Sequence, residues 1–245
     1  MNSLGVDIGA SGIKAAPVDL ITGKLISERI RIETPFPATP DAVVSVISKL
    51  VECFDWKGLV GCGFPGVIKN GVAKTAANLH KSWINVNALE LISNSTNCIV
   101  KVINDADAAG VAEVKFGRGK NIKGLVLMVT VGTGLGTVLF NDGKLIPNTE
   151  FGHLFLKNEI AEHYASDAIR KKDKLSWTDW GKRFNDYLCH LENLLWPELI
   201  IIGGGASKKF EKYNDYLNTR TKVVPAQLLN YAGIIGAAVW SGNNQ

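Results

Sequence analysis

The 245-residue chain has no paired cysteines: Cys53, Cys62, Cys98 and Cys189 stand far apart and no CxxC occurs. That spacing excludes a zinc knuckle and a thioredoxin-type redox site and leaves reduced, mostly buried thiols as the expectation. No apolar run approaches the ~20 residues needed to cross a bilayer, and no basic leader precedes an apolar stretch at the start. The expectation is a soluble, cytoplasmic protein with no membrane partner. Charge of one sign is also scarce. The 27 Lys and Arg against 23 Asp and Glu give a net +4 and a pI near 8.8, short of the concentrated field of a dedicated DNA-binding domain. An anionic small ligand or a polyanion stays allowed. What is present is apolar material, 46% of residues with a mean hydropathy of +0.09, enough for a sizeable core. At roughly 150 residues per domain the length fits one large domain or two small lobes.

The order of elements favours two lobes. Leu4 to Ile8 is a short apolar run ending at Gly9, and Gly12 to Val18 reads as a second strand. Leu25 to Ile32 alternates as a third. Thr34 to Asp41 holds three prolines and is a stiff loop, with Thr39 or Asp41 capping a helix over Asp41 to Cys53. Leu59 to Phe64 and Ile99 to Ile103 are strands, and Asp105 to Phe116 is an Ala-rich helix stopping at Gly117. The pattern then restarts: Gly124 to Val131 is a strand, Gly132 to Gly136 a glycine turn, and Thr137 to Phe140 a strand turned back by Asn141-Asp142-Gly143. Thr178 to Leu195 reads as a helix, Glu198 to Ile202 as a strand running into Gly203-Gly204-Gly205, and Ile234 to Trp240 as a closing helix. Strand, glycine turn and strand recurring about 125 residues apart predicts two related α/β lobes with a central cleft and a hinge near Asn104.

Four segments carry chemistry. Asp7-Ile8-Gly9-Ala10-Ser11-Gly12-Ile13-Lys14 puts a carboxylate at a strand end, then glycines whose bare backbone lets N–H groups approach a phosphate; Asp7 can hold the water shell of Mg²⁺. Gly132-Thr133-Gly134 repeats that chemistry with hydroxyls added. Asn104-Asp105-Ala106-Asp107 closes a strand and opens a helix, supplying an amide and carboxylates where sugar hydroxyls and a general base are needed, although a helix cap is the commoner use of such an Asp. Glu150-Phe151-Gly152-His153 adds an acceptor and a tunable donor. Gly61 to Gly66 formally matches GxGxxG, but Pro65-Gly66 leads into a turn and strand without a helix N-terminus for a pyrophosphate. No GxxxxGK[ST] loop exists. Arg170-Lys171-Lys172-Asp173-Lys174 reads as a solvated helix end.

In this order the segments resemble the ROK family of sugar kinases, in the actin-like ATPase-domain superfamily, and more closely its polyphosphate glucokinase branch. The resemblance runs over essentially the whole chain and implies a two-lobed, ribonuclease H-like duplication. The lobes would be a small one of residues 1–104, joined by a C-terminal helix at about 231–245, and a larger one of 105–230. It implies phosphorylation of the 6-hydroxyl of glucose with Asp105 as base, and Gly66, Asn78, Asn104, Asp105, Glu150, His153 and Glu162 on the sugar. Asp7, Gly9, Ala10, Ser11, Gly12, Lys14, Gly132, Thr133, Gly134, Gly204 and Lys208 would face the phosphate donor. Many ROK kinases carry a zinc-binding cysteine cluster after ExGH. Here no Cys stands between Cys98 and Cys189, and Ala161-Glu162-His163 is similar to the zinc-free version, so Mg²⁺ is implied and structural zinc is not. The donor implied is inorganic polyphosphate, with ATP as a possible second; a strictly ATP-dependent hexokinase and a non-catalytic sugar sensor are the alternatives. A nucleic-acid-binding regulator would need a helix-turn-helix before the first lobe, and six residues precede Asp7. A homodimer is the family expectation.

Overall fold

The computed structural model describes residues 1–243, which divide into two compact units. The first comprises Met1–Ala112 and the C-terminal segment from Tyr231; the second is Glu113–Asn230. The division falls inside a helix, after Ala112, rather than at the Asn104 hinge the sequence suggests.

In the first unit β1 (Asn2–Ile8), β2 (Ile13–Asp19), β3 (Ile30–Ile32), β4 (Leu59–Phe64) and β7 (Ile99–Asn104) form one sheet in the order β3-β2-β1-β4-β7. A small hairpin, β5 (Ile68–Lys69) and β6 (Val72–Ala73), lies between β4 and β7 in sequence. Strands β1, β4 and β7 run parallel, β2 is antiparallel to β1, and β3 is antiparallel to β2. Period-two alternation sorts β1 into two faces. Leu4, Val6 and Ile8 are fully buried with Val43, Ile47 and Leu50 of α1 (Pro40–Cys53). On the other face Ser3 Oγ meets Ser241 Oγ at 2.6 Å and Gly5 meets the backbone of Ile234, both on the C-terminal helix Ala232–Gly242. β4 repeats the arrangement, with Val60, Cys62 and Phe64 in the core. A Cβ on Gly61 would land on the Ala237 carbonyl, and one on Gly236 on the Ala108 carbonyl of α3 (Asp105–Phe116). Glycine is therefore what lets this helix lie against the sheet backbone.

Three local expectations change. Only Ile30–Ile32 of the expected third strand joins the sheet; Leu25 makes a single bridge to Val18. Thr39 occupies the N-cap of α1, but its hydroxyl makes no cap bond, and its carbonyl accepts from Val43 N instead. α2 (Ala88–Thr96), packed on α1, was not legible; Asn87 caps it by accepting from Glu90 N. Position 244 and position 245 of the expected C-terminal segment lie outside the described residues.

The second unit repeats the strand order as β10-β9-β8-β13-β14, from β8 (Leu125–Val131), β9 (Leu135–Asn141), β10 (Lys144–Ile146), β13 (Leu199–Gly204) and β14 (Val223–Pro225). β9 begins at Leu135, so the glycine turn is shorter than expected and β9 includes Gly136. Asp142 and Gly143, both at positive φ, close the β9–β10 hairpin. Between β10 and β13 come a hairpin, β11 (Phe155–Leu156) and β12 (Glu159–Ile160), and the short helices α4 (Ala161–Ala165) and α5 (Asp167–Lys172). Next is α6 (Trp177–Leu195), whose Trp180, Phe184, Tyr187, Leu188 and Leu191 are buried against Leu127, Val129, Ile200 and Ile202. Among the described residues no helix is long and apolar enough to cross a membrane.

Candidate active site

In the first unit the Gly9–Gly12 turn joins β1 to β2, and Gly9 N donates to Gly12 O at 3.2 Å. The antiparallel register places Asp7 opposite Lys14, and their side chains pair at 3.1 Å. Ala10 and Ser11 are exposed at the tip. Two residues that sequence reasoning missed brace this turn. Arg31 donates to the Ser11 carbonyl at 2.6 Å and lies on Gly12, where a Cβ would strike its guanidinium; Thr34 Oγ1 donates to Gly9 O at 2.6 Å. The register Lys14 to Arg31 sets two cations side by side near the turn. Their signal was the short strand β3, whose pairing partner a sequence does not declare.

The end of β7 lies two strands away in the same sheet. Asn104 is buried, donating from Nδ2 to Gly66 O at 3.1 Å and accepting from Asp107 N at 3.0 Å. Its amide thus ties the Gly66 loop to the start of α3 and keeps one N–H hydrogen. Asp105 accepts from Ala106 N at 2.8 Å and retains partial exposure. Burial first, and then the charge of the neighbouring Asp7, together hold its carboxyl up at about 7. A carboxyl poised near neutrality can take a proton at physiological pH. Gly233, the second residue of the C-terminal helix, packs on Asp7, so close that a Cβ there would lie 3.1 Å from the carboxyl carbon. Gly66 is buried under Thr75, and Asn78 is exposed in the loop before the turn at Lys81–Trp83.

In the second unit Gly132 N donates to Gly134 O at 3.1 Å, Thr133 is exposed at the tip, and a Cβ at Gly132 would meet nothing within 4 Å. Gly204, at φ 72°, pairs with Val131, so strand register brings the third glycine run beside the second. Lys208 is exposed on the segment Gly205–Lys212, which Ser207 ties back by donating to Gly204 O at 2.7 Å.

The Glu150–His153 segment is held by a residue not foreseen. Buried Thr137 donates from Oγ1 to Thr149 O at 2.9 Å and accepts from Phe151 N at 3.0 Å. His153 then stands between two carboxylates, Nδ1 at 4.0 Å from Glu150 and Nε2 at 3.6 Å from Glu162. Partial burial raises the Glu150 carboxyl, with His153 opposing and Glu162 adding to the rise. Glu162 also lies against Gly134, where a Cβ would strike its Oε2. One carboxylate therefore touches both the glycine turn and the histidine, and the cluster brings acceptors and a donor together. Among the described residues no group of three or more His, Cys, Asp or Glu is placed to hold a metal ion, and all four cysteines are free.

The family model described as ROK family matches residues 3–163. A polyphosphate glucokinase of Mycobacterium tuberculosis is 47% identical over 241 residues, 98% of this chain and 91% of the relative. A glucokinase of Streptomyces coelicolor is 32% identical, with 96% of each chain covered. The crystal structure of an inorganic polyphosphate/ATP-glucomannokinase from Arthrobacter sp. strain KM has a TM-score of 0.92 at 45% identity, covering 98% of this chain and 97% of that one. The fold is the actin-like ATPase fold of these kinases, a duplicated α/β unit. Both glycine turns, the Asn104-Asp105 strand end and the carboxylate–histidine cluster all fall within the matched 3–163, and on that span the chain belongs to the ROK family.

Proposed function

We propose that the protein transfers a phosphoryl group from inorganic polyphosphate, with ATP as a second donor, to the 6-hydroxyl of glucose. The observation that carries this reading is Asp105: a carboxyl held near neutrality at a strand end, beside Asn104 and in the same unit as the Asp7 glycine turn. In the step, Asp105 takes the proton of the attacking hydroxyl as its oxygen bonds to the terminal phosphorus. The bridging P–O bond then breaks, releasing a polyphosphate one unit shorter, or ADP. Little covalent chemistry is asked of the protein, so positioning and charge neutralisation supply most of the rate. Glu150, His153 and Glu162 would orient the sugar, and the N–H groups of both glycine turns with Lys14 and Arg31 would hold the donor.

Mg²⁺ fits the residues present. Asp7 and Asp105 are close enough for one charge to raise the other's carboxyl, and a hydrated Mg²⁺ is characteristically held by one or two carboxylates together with substrate phosphates. Asp7 would hold it through water, and the ion would neutralise charge on the transferring phosphoryl group.

The donor is settled by assaying glucose phosphorylation in parallel with long-chain polyphosphate, ATP and no donor. Turnover with ATP alone would make the strictly ATP-dependent hexokinase the better reading. If polyphosphate extends past the turns over Lys208 and Lys209, Lys208→Ala with Lys209→Ala should raise KM for polyphosphate more than for ATP. Added salt should weaken polyphosphate use more, because exposed charge pairs are screened within ~8 Å at physiological ionic strength. Equal losses with both donors would remove the lysines from the donor path.

A pH profile tests the base. Its carboxyl lies near 7 in the free protein and must be ionised to act, so kcat/KM for glucose should fall as pH drops through about 7. Asp7→Asn removes a charge that raises Asp105, so its acid limb should move to lower pH even though total activity falls. An acid limb near 4, or one that Asp7→Asn leaves in place, would contradict the assignment.

A further inference from the structure

The helix α4, which carries Glu162, is five residues long, too short to hold a position by itself, and it packs on α6. Trp180 of α6 donates from Nε1 to the Ala165 carbonyl at 3.0 Å, and Tyr164 donates from its hydroxyl to Asp186 of α6 at 2.9 Å. Where Glu162 stands is therefore decided from α6. Tyr187, next to Asp186 on that helix, is fully buried in the same cluster as Ala161 and Ala165 of α4. Its hydroxyl oxygen is closed off from solvent and has no hydrogen-bond partner among the described residues.

That hydroxyl does nothing for the packing of the core. A phenylalanine would fill the same space, and an unpaired buried hydroxyl costs stability that the ring alone does not. The group also lies within electrostatic reach of Glu162: burial pushes the Tyr187 phenol far above its usual range, and the Glu162 charge pushes it further. A phenol so raised stays protonated, and beside a carboxylate it is a donor. Glu162, for its part, meets His153 Nε2 at 3.6 Å and His163 Nε2 at 3.9 Å. Both separations are too long for a hydrogen bond that would fix the direction of the carboxylate.

We propose that Tyr187 is a positioning residue for the sugar, its hydroxyl donating to the Glu162 carboxylate in the glucose complex. One carboxylate oxygen is then held by the phenol, and the other is left for a glucose hydroxyl. A donor unpaired in the free protein and paired in the complex adds to affinity rather than to the stability of the fold. The inference deepens the reading of Glu162 as a sugar ligand and rests on it.

Tyr187→Phe in the full chain is the test. Equilibrium binding of glucose without a phosphate donor should weaken about tenfold, equivalent to about 1.4 kcal/mol, and KM for glucose should rise by the same factor. At saturating glucose, kcat and KM for the phosphate donor should stay within about twofold, and the melting temperature should hold or rise because no hydroxyl is then buried unpaired. In a Glu162→Ala background the same substitution should change kcat/KM for glucose by less than about twofold, since the acceptor is gone. Unchanged glucose affinity in Tyr187→Phe, with or without a fall in melting temperature, would overturn the inference, as would an undiminished loss in the Glu162→Ala background. A parent protein that binds no glucose overturns the sugar reading itself. A parent that binds glucose no more tightly than Tyr187→Phe does overturns this inference alone.

Discussion

Asp105→Asn should lower kcat by at least ~10²-fold, the usual worth of a general base, while the same protein becomes more resistant to heat at pH 8. Both effects have one origin. The carboxyl is held up to about 7 in the folded protein, first by burial and then by the Asp7 charge, whereas in the unfolded chain it titrates near ~3.9. A raised folded value means that folding favours the protonated form. This contribution to stability is complete below the unfolded value and is lost as pH rises from about 4 through about 7. Asparagine is neutral throughout and escapes that loss. The variant's advantage should be absent near pH 4 and complete above pH 7. At roughly 1 kcal/mol or more it corresponds to about 2–4 °C per kcal/mol at this chain length. Calorimetry at pH 4 and pH 8, beside single-turnover kinetics, checks it. Near-normal turnover by a folded Asp105→Asn protein would sink the base assignment, and an unchanged melting temperature at pH 8 would show that burial does not strain this carboxyl.

Gly61→Ala should lower stability by at least ~3 kcal/mol, at or beyond the upper end of ordinary overpacking, and Tm by about 6–12 °C. The new methyl would land on the Ala237 carbonyl, backbone against backbone, so no side chain can swing aside. Relief requires the C-terminal helix to lift from β1 and β4. Gly236→Ala meets the Ala108 carbonyl in the same way and should behave alike. Gly132→Ala supplies the contrast, because a Cβ there meets nothing within 4 Å. Its stability should stay within about 0.5 kcal/mol of the parent's, and any loss should appear in KM for the phosphate donor. Thermal denaturation of the three variants decides the matter. A Gly61→Ala protein as stable as the parent would mean that helix and sheet do not touch as described.

Local patterns carried some parts of this protein in the sequence, and distant pairings hid others. β4 and α3 lie where apolar runs, glycine stops and the helix-opening Asp place them. Strand ends with glycines exposed Asp7 and the Gly132 turn as candidates because the signal lies within a few residues. α2 was missed because Ala88–Thr96 carries Ser, Asn and Thr, which favour caps and turns, and it is fixed by Asn87 and by packing on α1. Arg31, Thr34 and Gly233 were illegible for a related reason. They reach the Asp7 turn through β2–β3 register, a loop return and a helix more than 200 residues later, none of which leaves a local mark. Glu162 entered through family resemblance alone. Its contact with Gly134 depends on a missing Cβ, which a sequence shows only as one more glycine in a turn.

The helix that covers β1 and β4 is translated after both sheets, so the first unit is discontinuous in sequence while the second, Glu113–Asn230, is continuous. During synthesis the first unit therefore lacks its last helix until the whole of the second unit has been made. A nascent chain that has completed the second unit still presents Ser3, Gly5 and Gly61 as a bare sheet face, awaiting Ile234, Ala237 and Ser241. The helix that closes this face also sets Gly233 against Asp7. The residue that packs on Asp7 thus belongs to the last part of the first unit to be synthesised.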